Sequence, residues 1–229
     1  MGLDVYLVPV GGSRYELYSE HATDEAPAVT DAAAPKSWGT RRMDQFRAML
    51  AEADAERRRR DRGEPSAGGG VWRGIMRRIA ETIAEQRLLW RLRAEAFGRL
   101  IHPLDLPTAE AIGVMRTALG KDLAKHRRWC VIDAGIAAVL GPVLFLVPGP
   151  NVVAYYFLFR AVGHYLALRG ATHGLSKTVW ETYGSPPLTA IRLALALPRA
   201  ERRVELDAIA TALGLAHLTG FVERVARPD

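Results

Sequence analysis

A chain of 229 residues with 31 Lys+Arg, 25 Asp+Glu and a formal charge of +6 has the size of one substantial domain with appendages. With 24% charged and 49% hydrophobic residues it is globular on average rather than mostly membrane. Its single cysteine, Cys130, excludes an intramolecular disulfide and a multi-cysteine zinc site.

The charge is unevenly spread. Arginine crowds residues 41–128, whereas 129–168 hold few charges. A basic body beside one apolar block suits an anionic membrane surface, and nucleic acid is also compatible with it. The opening MGLDVYLVPVGG has neither the basic start nor the long apolar run of a secretory signal. Tyr6 stands where myristoylation needs Ser or Thr. The expectation is a protein that starts in the cytoplasm of a cell without import needs, a bacterium.

In chain order, residues 1–20 predict a β-hairpin. Val5 and Leu7 point to one face, Tyr6, Val8 and Val10 to the other, and Gly11-Gly12 supplies the turn. Pro9 cannot donate to a ladder, so the strand lies at an edge or ends there. A lone hairpin is marginal in water and must dock on something. Residues 21–40 have no period and read as a flexible linker. Residues 41–70 read as a charged helix, with the run Arg57–Arg60 near its end, followed by a glycine-rich break. From Val71 to Leu100 a stripe of Trp72, Ile75, Met76, Ile79, Ile83, Trp90 and Phe97 predicts a long amphipathic helix with an arginine-rich face.

Thr108 opens the next helix, reaching to about Arg128. Residues 173–190 read as a connector, 188–197 as a short apolar helix, and the rest as two small helices. Leu206, Ile209, Leu213, Leu218, Phe221 and Val225 are their candidate core. Residues 71–229 thus form the helical domain. The fold class expected is mainly α: a helical domain with a central apolar antiparallel helical hairpin over 130–168 and a small N-terminal β-hairpin.

That hairpin holds the most informative residues. Residues 130–147 contain ten Val, Ile, Leu or Phe, worth roughly −3 to −6 kcal/mol of insertion against about +3 for Asp133. Residues 152–168 hold eight, which barely offset Arg160 and His164. With Pro148, Gly149, Pro150 and Asn151 as the tip, Asp133 and His164 fall at nearly one level, and Arg160 shares the face of His164. Asp133, Ala137 and Gly141 form a ridge that admits a close partner. A charged seam of this kind is tolerable because the groups point inward and pair. The other reading is a buried ion pair in a soluble core. Basic flanks (Lys121, Lys125, Arg127, Arg128, Arg169, Lys177) place both hairpin ends in the cytoplasm if it spans an inner membrane.

Pro148-Gly149-Pro150-Asn151 followed by FRAVGHYLALRGATH resembles the mitochondrial potassium–hydrogen exchange-related family, with a PGPN turn before an FR…SHW.AL.G..H pattern. The matching positions are Phe159, Arg160, His164, Ala167, Leu168, Gly170 and His173, while Gly163 and Tyr165 depart from it. VYLVPVGGSRYELYSE and ELDAIATALGLAHLTGFVERVA look like the family's two ends, and residues 21–70 show no likeness. The resemblance implies a membrane-associated protein linked to potassium–proton homeostasis, as transporter component or regulator. Two short arms cannot enclose an ion pathway, so transport would need self-association or another membrane protein.

Other classes have less behind them. No Walker loop, GxSxG, HExxH or GxGxxG occurs, so no enzyme, cofactor or metal site is expected. The six histidines show no ligand-like i, i+4 spacing. Nucleic-acid binding rests on basic helices without a reading motif. A soluble helical interaction module with an Asp/Arg/His core remains the alternative, with a cytoplasmic location.

Overall fold

The computed structural model describes residues 2–20, 88–145 and 152–226. The chain divides into two compact units, residues 1–20 with 86–229 and residues 21–85; every described residue belongs to the first. The linker 21–40, the charged helix and glycine-rich break of 41–70, the amphipathic segment as far as residue 87, and the turn Pro148–Asn151 lie outside the described residues.

Strand β1, Leu3–Pro9, is the centre of the fold. Its alternation works on both faces: Leu3, Val5 and Leu7 enter one apolar cluster, while Val8 and Val10 enter another. A strand buried on both sides must sit between two layers, as parallel sheet strands do. The chain turns at Gly11 and Gly12, both at positive φ (112° and 55°) where a Cβ is disfavoured. It returns as β2, Tyr15–Tyr18, antiparallel to β1. β1 does end at Pro9, whose missing N–H costs least there.

The sheet continues with β3, Phe97–Pro103, parallel to β1, and β4, Val179–Ser185, parallel to β3, in the order β2-β1-β3-β4. Asp4 pairs with Arg99 in the register, and their side chains meet at 2.5 Å on the exposed surface. Parallel neighbours need a crossover. Between β3 and β4 it consists of two helices, α1 (Thr108–Phe145) and α2 (Val152–Ser176). Ala111, Met115 and Leu119 of α1, with Ala167 and Ala171 of α2, cover one face of the sheet together with Leu89 and Leu92, in one cluster with Leu100 of β3. The other face is covered by α3 (Pro186–Leu195), α4 (Arg199–Leu213) and α5 (Leu218–Val225), through Leu188, Ile191, Leu206, Ile209, Leu218 and Val222.

The mainly α fold expected from the sequence is therefore corrected to a mixed α/β fold. The N-terminal strands are not a separate β-hairpin resting on helices; they are half of a four-stranded mixed sheet. Nor do the described residues show the separate apolar antiparallel helical hairpin expected over 130–168. Residues 130–145 are the second part of a 38-residue helix that begins at Thr108 and carries Lys121, Asp122, Lys125 and His126. No described helix is long and apolar enough to cross a membrane.

Two strands depart from the sequence expectation. Phe97, expected on a helical stripe, starts β3 and is 61% exposed. VWETYGS, expected as part of a connector, is β4, at the end of the sheet order among the described strands.

Candidate functional site

Along α1 one stripe runs from the sheet outward: Ala111, Met115, Leu119, His126, Cys130 and Asp133, spaced by multiples of a helical turn. Its first members are apolar because they touch β-strand side chains. Beyond the sheet the same stripe faces α2, and there it becomes titratable. His126 and Asp133 are 4% and 1% exposed.

The facing stripe of α2 is built from small residues, Ala161, Ala167, Gly170, Ala171 and Gly174, all buried. Small residues let the backbones approach closely. Into this seam α2 inserts His164, 4% exposed, and Arg160, whose side chain is 32% exposed. The two helices run in opposite directions here: His126 meets His164, Cys130 Sγ meets the carbonyl of Ala161 at 3.6 Å, and Asp133 meets Arg160. The indole of Trp90 donates to the carbonyl of Gly163 at 3.0 Å and closes the seam from the side.

The polar geometry is compact. Arg160 Nε stands 3.2 Å from Asp133 Oδ2, and its guanidinium lies over the Trp129 ring at 5.6 Å. His164 Nε2 stands 3.5 Å from the same Oδ2. His164 Nδ1 meets His126 Nδ1 at 2.8 Å. The Asp133–Arg160 contact is charge attraction without a closed hydrogen bond, because both carboxylate oxygens lack a hydrogen-bond donor among the described residues.

Electrostatics follow from burial. Burial raises the Asp133 carboxyl above its ordinary value, and Arg160 opposes the rise. His126 is pushed down to about 4 by burial, then by charge on His164 and Lys125. His164 falls to about 4 through burial, then Arg160 and Lys125. Burial, then Asp133, raises the Cys130 thiol. At neutral pH both imidazoles are therefore uncharged.

Of the residues selected from sequence, the structure brings Asp133, Arg160 and His164 together. It leaves His173 out of the seam: half-buried near the end of α2, it accepts the Lys177 and Thr178 amides on its carbonyl at 2.8 and 3.1 Å. Pro148, Gly149, Pro150 and Asn151 lie outside the described residues. Sequence reasoning missed His126. Its signal was its place seven residues before Asp133, two turns along one helix face, which matters only once the helix extends back past residue 128. Among the described residues no group of three His, Cys, Asp or Glu side chains is arranged to hold a metal ion.

Arg160→Ala is expected to cost about 1–2 kcal/mol, measured as a shift of the urea midpoint. A fully buried pair broken on one side costs about 3–5 kcal/mol, but water reaches this guanidinium and His164 still faces the carboxylate. A neutral result would show that the ion pair contributes nothing to the seam.

Fold and site together define a mixed α/β protein with a titratable seam between two long crossover helices. Residues 84–178, which span β3, α1, α2 and the seam, match the model of the family described as mitochondrial K+-H+ exchange-related. The match bears out the resemblance read from the FRAVGHYLALRGATH block, and through the family's description it links the chain to potassium–proton exchange. No curated protein and no solved structure matches the chain.

Proposed function

We propose that this protein is a membrane-associated, non-enzymatic factor in potassium–proton balance, acting as a regulator or as a component of a transporter. The ion part rests on the family link. The membrane part rests on one observation: beyond the sheet, α1 and α2 present apolar side chains outward as well as inward. Val131 and Val139 are 70% and 66% exposed, and Trp129, Ile132, Leu158, Val162 and Tyr165 are exposed with them. Helices that are apolar all round belong in an apolar surrounding. The charges of this portion, Asp133 and Arg160, are turned into the seam.

The chemistry at its base favours an anionic lipid surface over other occupants. Lys121, Lys125, Arg127 and Arg128 are exposed on α1, and Arg169 on α2 is brought level with them by the His126–His164 pairing. A basic collar below an apolar end attracts anionic headgroups, at about 1 kcal/mol per Lys or Arg near the surface. Contact then runs through the exposed side chains of the paired helices.

Flotation of the full chain with phosphatidylglycerol–phosphatidylcholine vesicles tests this. Binding should weaken with salt and with removal of the anionic lipid, and Val131→Asp with Val139→Asp should abolish it. Failure to float with anionic vesicles, or a salt-stable dimer that hides the same residues, would refute lipid as the occupant. For the ion part, cells lacking the protein should show altered potassium tolerance or internal pH under potassium stress. Normal handling of both would remove that part.

A further inference from the structure

We infer that His126, His164 and Asp133 form a proton relay in which a proton received at His126 is passed through two neutral imidazoles and held on Asp133. As the proton side of the function proposed above it rests on that reading for its physiological role, whereas its chemistry depends on the seam alone.

The hydrogen positions follow from the contacts. Two nitrogens at 2.8 Å need one hydrogen between them, so only one of the two Nδ1 atoms carries it. A neutral imidazole has a single N–H. His164 Nε2 faces a carboxylate oxygen at 3.5 Å, and a carboxylate only accepts, so the hydrogen of His164 sits on Nε2. His164 Nδ1 is then bare, and His126 Nδ1 must donate to it. His126 Nε2, the nitrogen turned away from His164, carries a lone pair. The resting chain is ordered in one direction.

One proton can run the length of that order. It binds the lone pair of His126 Nε2. The Nδ1–H bond of His126 breaks as an N–H bond forms at His164 Nδ1. The Nε2–H bond of His164 breaks as an O–H bond forms at Asp133 Oδ2. One proton has been gained, both rings are neutral again in their opposite tautomers, and the carboxylate has become an acid. The last contact is longer than a closed hydrogen bond and tightens by roughly 0.5 Å to transfer, as such contacts do on reaction.

Asp133 is suited to hold the proton. It is 1% exposed, and Oδ1 and Oδ2 accept no closed hydrogen bond among the described residues, so ionisation is poorly compensated there. Among the described residues the groups facing the relay are Lys125 and Cys130 from α1 and Arg160 from α2, with the uncharged Trp90 indole on the third side. Lys125 and Arg160 disfavour a positive ring, which favours passage over storage on either histidine. Among the described residues Arg160 opposes storage on Asp133.

The test is long-range proton–nitrogen NMR of the full chain labelled with 15N-histidine, followed from pH 7.5 downward beside the 13C signal of the Asp133 carboxyl. At pH 7.5 His126 should show the Nδ1–H tautomer, the less usual one for a free imidazole, and His164 the Nε2–H tautomer. On acidification both should exchange tautomer at one shared midpoint, with the Asp133 carboxyl. In Asp133→Asn that concerted exchange should be lost. Rings that become imidazolium while Asp133 is still ionised, or that keep their tautomers while Asp133 gains its proton, would overturn the relay, and so would an exchange that persists in a folded Asp133→Asn protein. The wild-type spectra decide even if the variant does not fold. Loss of vesicle binding with the concerted exchange intact removes the membrane reading and leaves the relay; vesicle binding with independent histidines does the reverse.

Discussion

Gly170→Ala is expected to destabilise the folded unit by about 3 kcal/mol or more, where helix propensity alone would stabilise it by about 1 kcal/mol. A Cβ on Gly170 would clash with the carbonyl oxygen and carbonyl carbon of Leu89. Those are backbone atoms of a residue only 2% exposed, packed with Leu92, Leu100 and Ala167 against the sheet. No side-chain rotation relieves such a contact; either α2 or the segment carrying Leu89 must move. Gly113→Ala on α1 is the control, since nothing lies within 4 Å of a Cβ there. Urea unfolding should show a large drop in midpoint for Gly170→Ala and a neutral or positive shift for Gly113→Ala. Equal midpoints would mean that α2 does not approach Leu89 as closely as the structure has it.

Gly170 also explains what the sequence pattern reads. Within FRAVGHYLALRGATH, Ala167 is fully buried against the sheet layer and Gly170 admits a passing backbone, while Arg160 and His164 fill the seam. The block thus combines one packing surface with one polar cluster on successive turns of a helix.

The two faces of β1 were legible, because alternation of Val5 and Leu7 with Tyr6, Val8 and Val10 needs no partner to be seen. The meeting of Asp133 with Arg160 and His164 was also within reach, since equal numbers of residues on either side of a proline turn give equal depth. β3 and β4 were not. Their ladders join residues 97–103 to 3–6 and to 179–185, and nothing local announces a pairing so distant in sequence. The length of α1 was hidden by its change of character, apolar against the sheet and titratable beyond it, which reads as two elements. His126 went unseen for the same reason.

Acidification from pH 7.5 to pH 5 is expected to destabilise the protein, through the two histidines of the seam. Both titrate at about 4 in the folded chain, against 6.5 for an unfolded histidine. The unfolded chain therefore binds more protons throughout that window, and stability falls as pH falls through it. Their contribution is fully present above about pH 6.5 and lost as pH approaches about 4. A shift of this size corresponds to about 3 kcal/mol for one ring, and the pair gives less than twice that because each charge hinders the other. Asp133 acts with the opposite sign. Its folded value is raised, so the folded chain takes that proton first and the loss is partly offset at the acid end. Stopping at pH 5 keeps ordinary carboxylates ionised and leaves the histidines in control of the slope. Urea midpoints at both pH values should therefore differ, with pH 7.5 the more stable. His126→Gln with His164→Gln should flatten the slope even if it lowers stability at both. A wild-type midpoint that stays level or rises at pH 5 would mean that the rings are not held neutral in the fold.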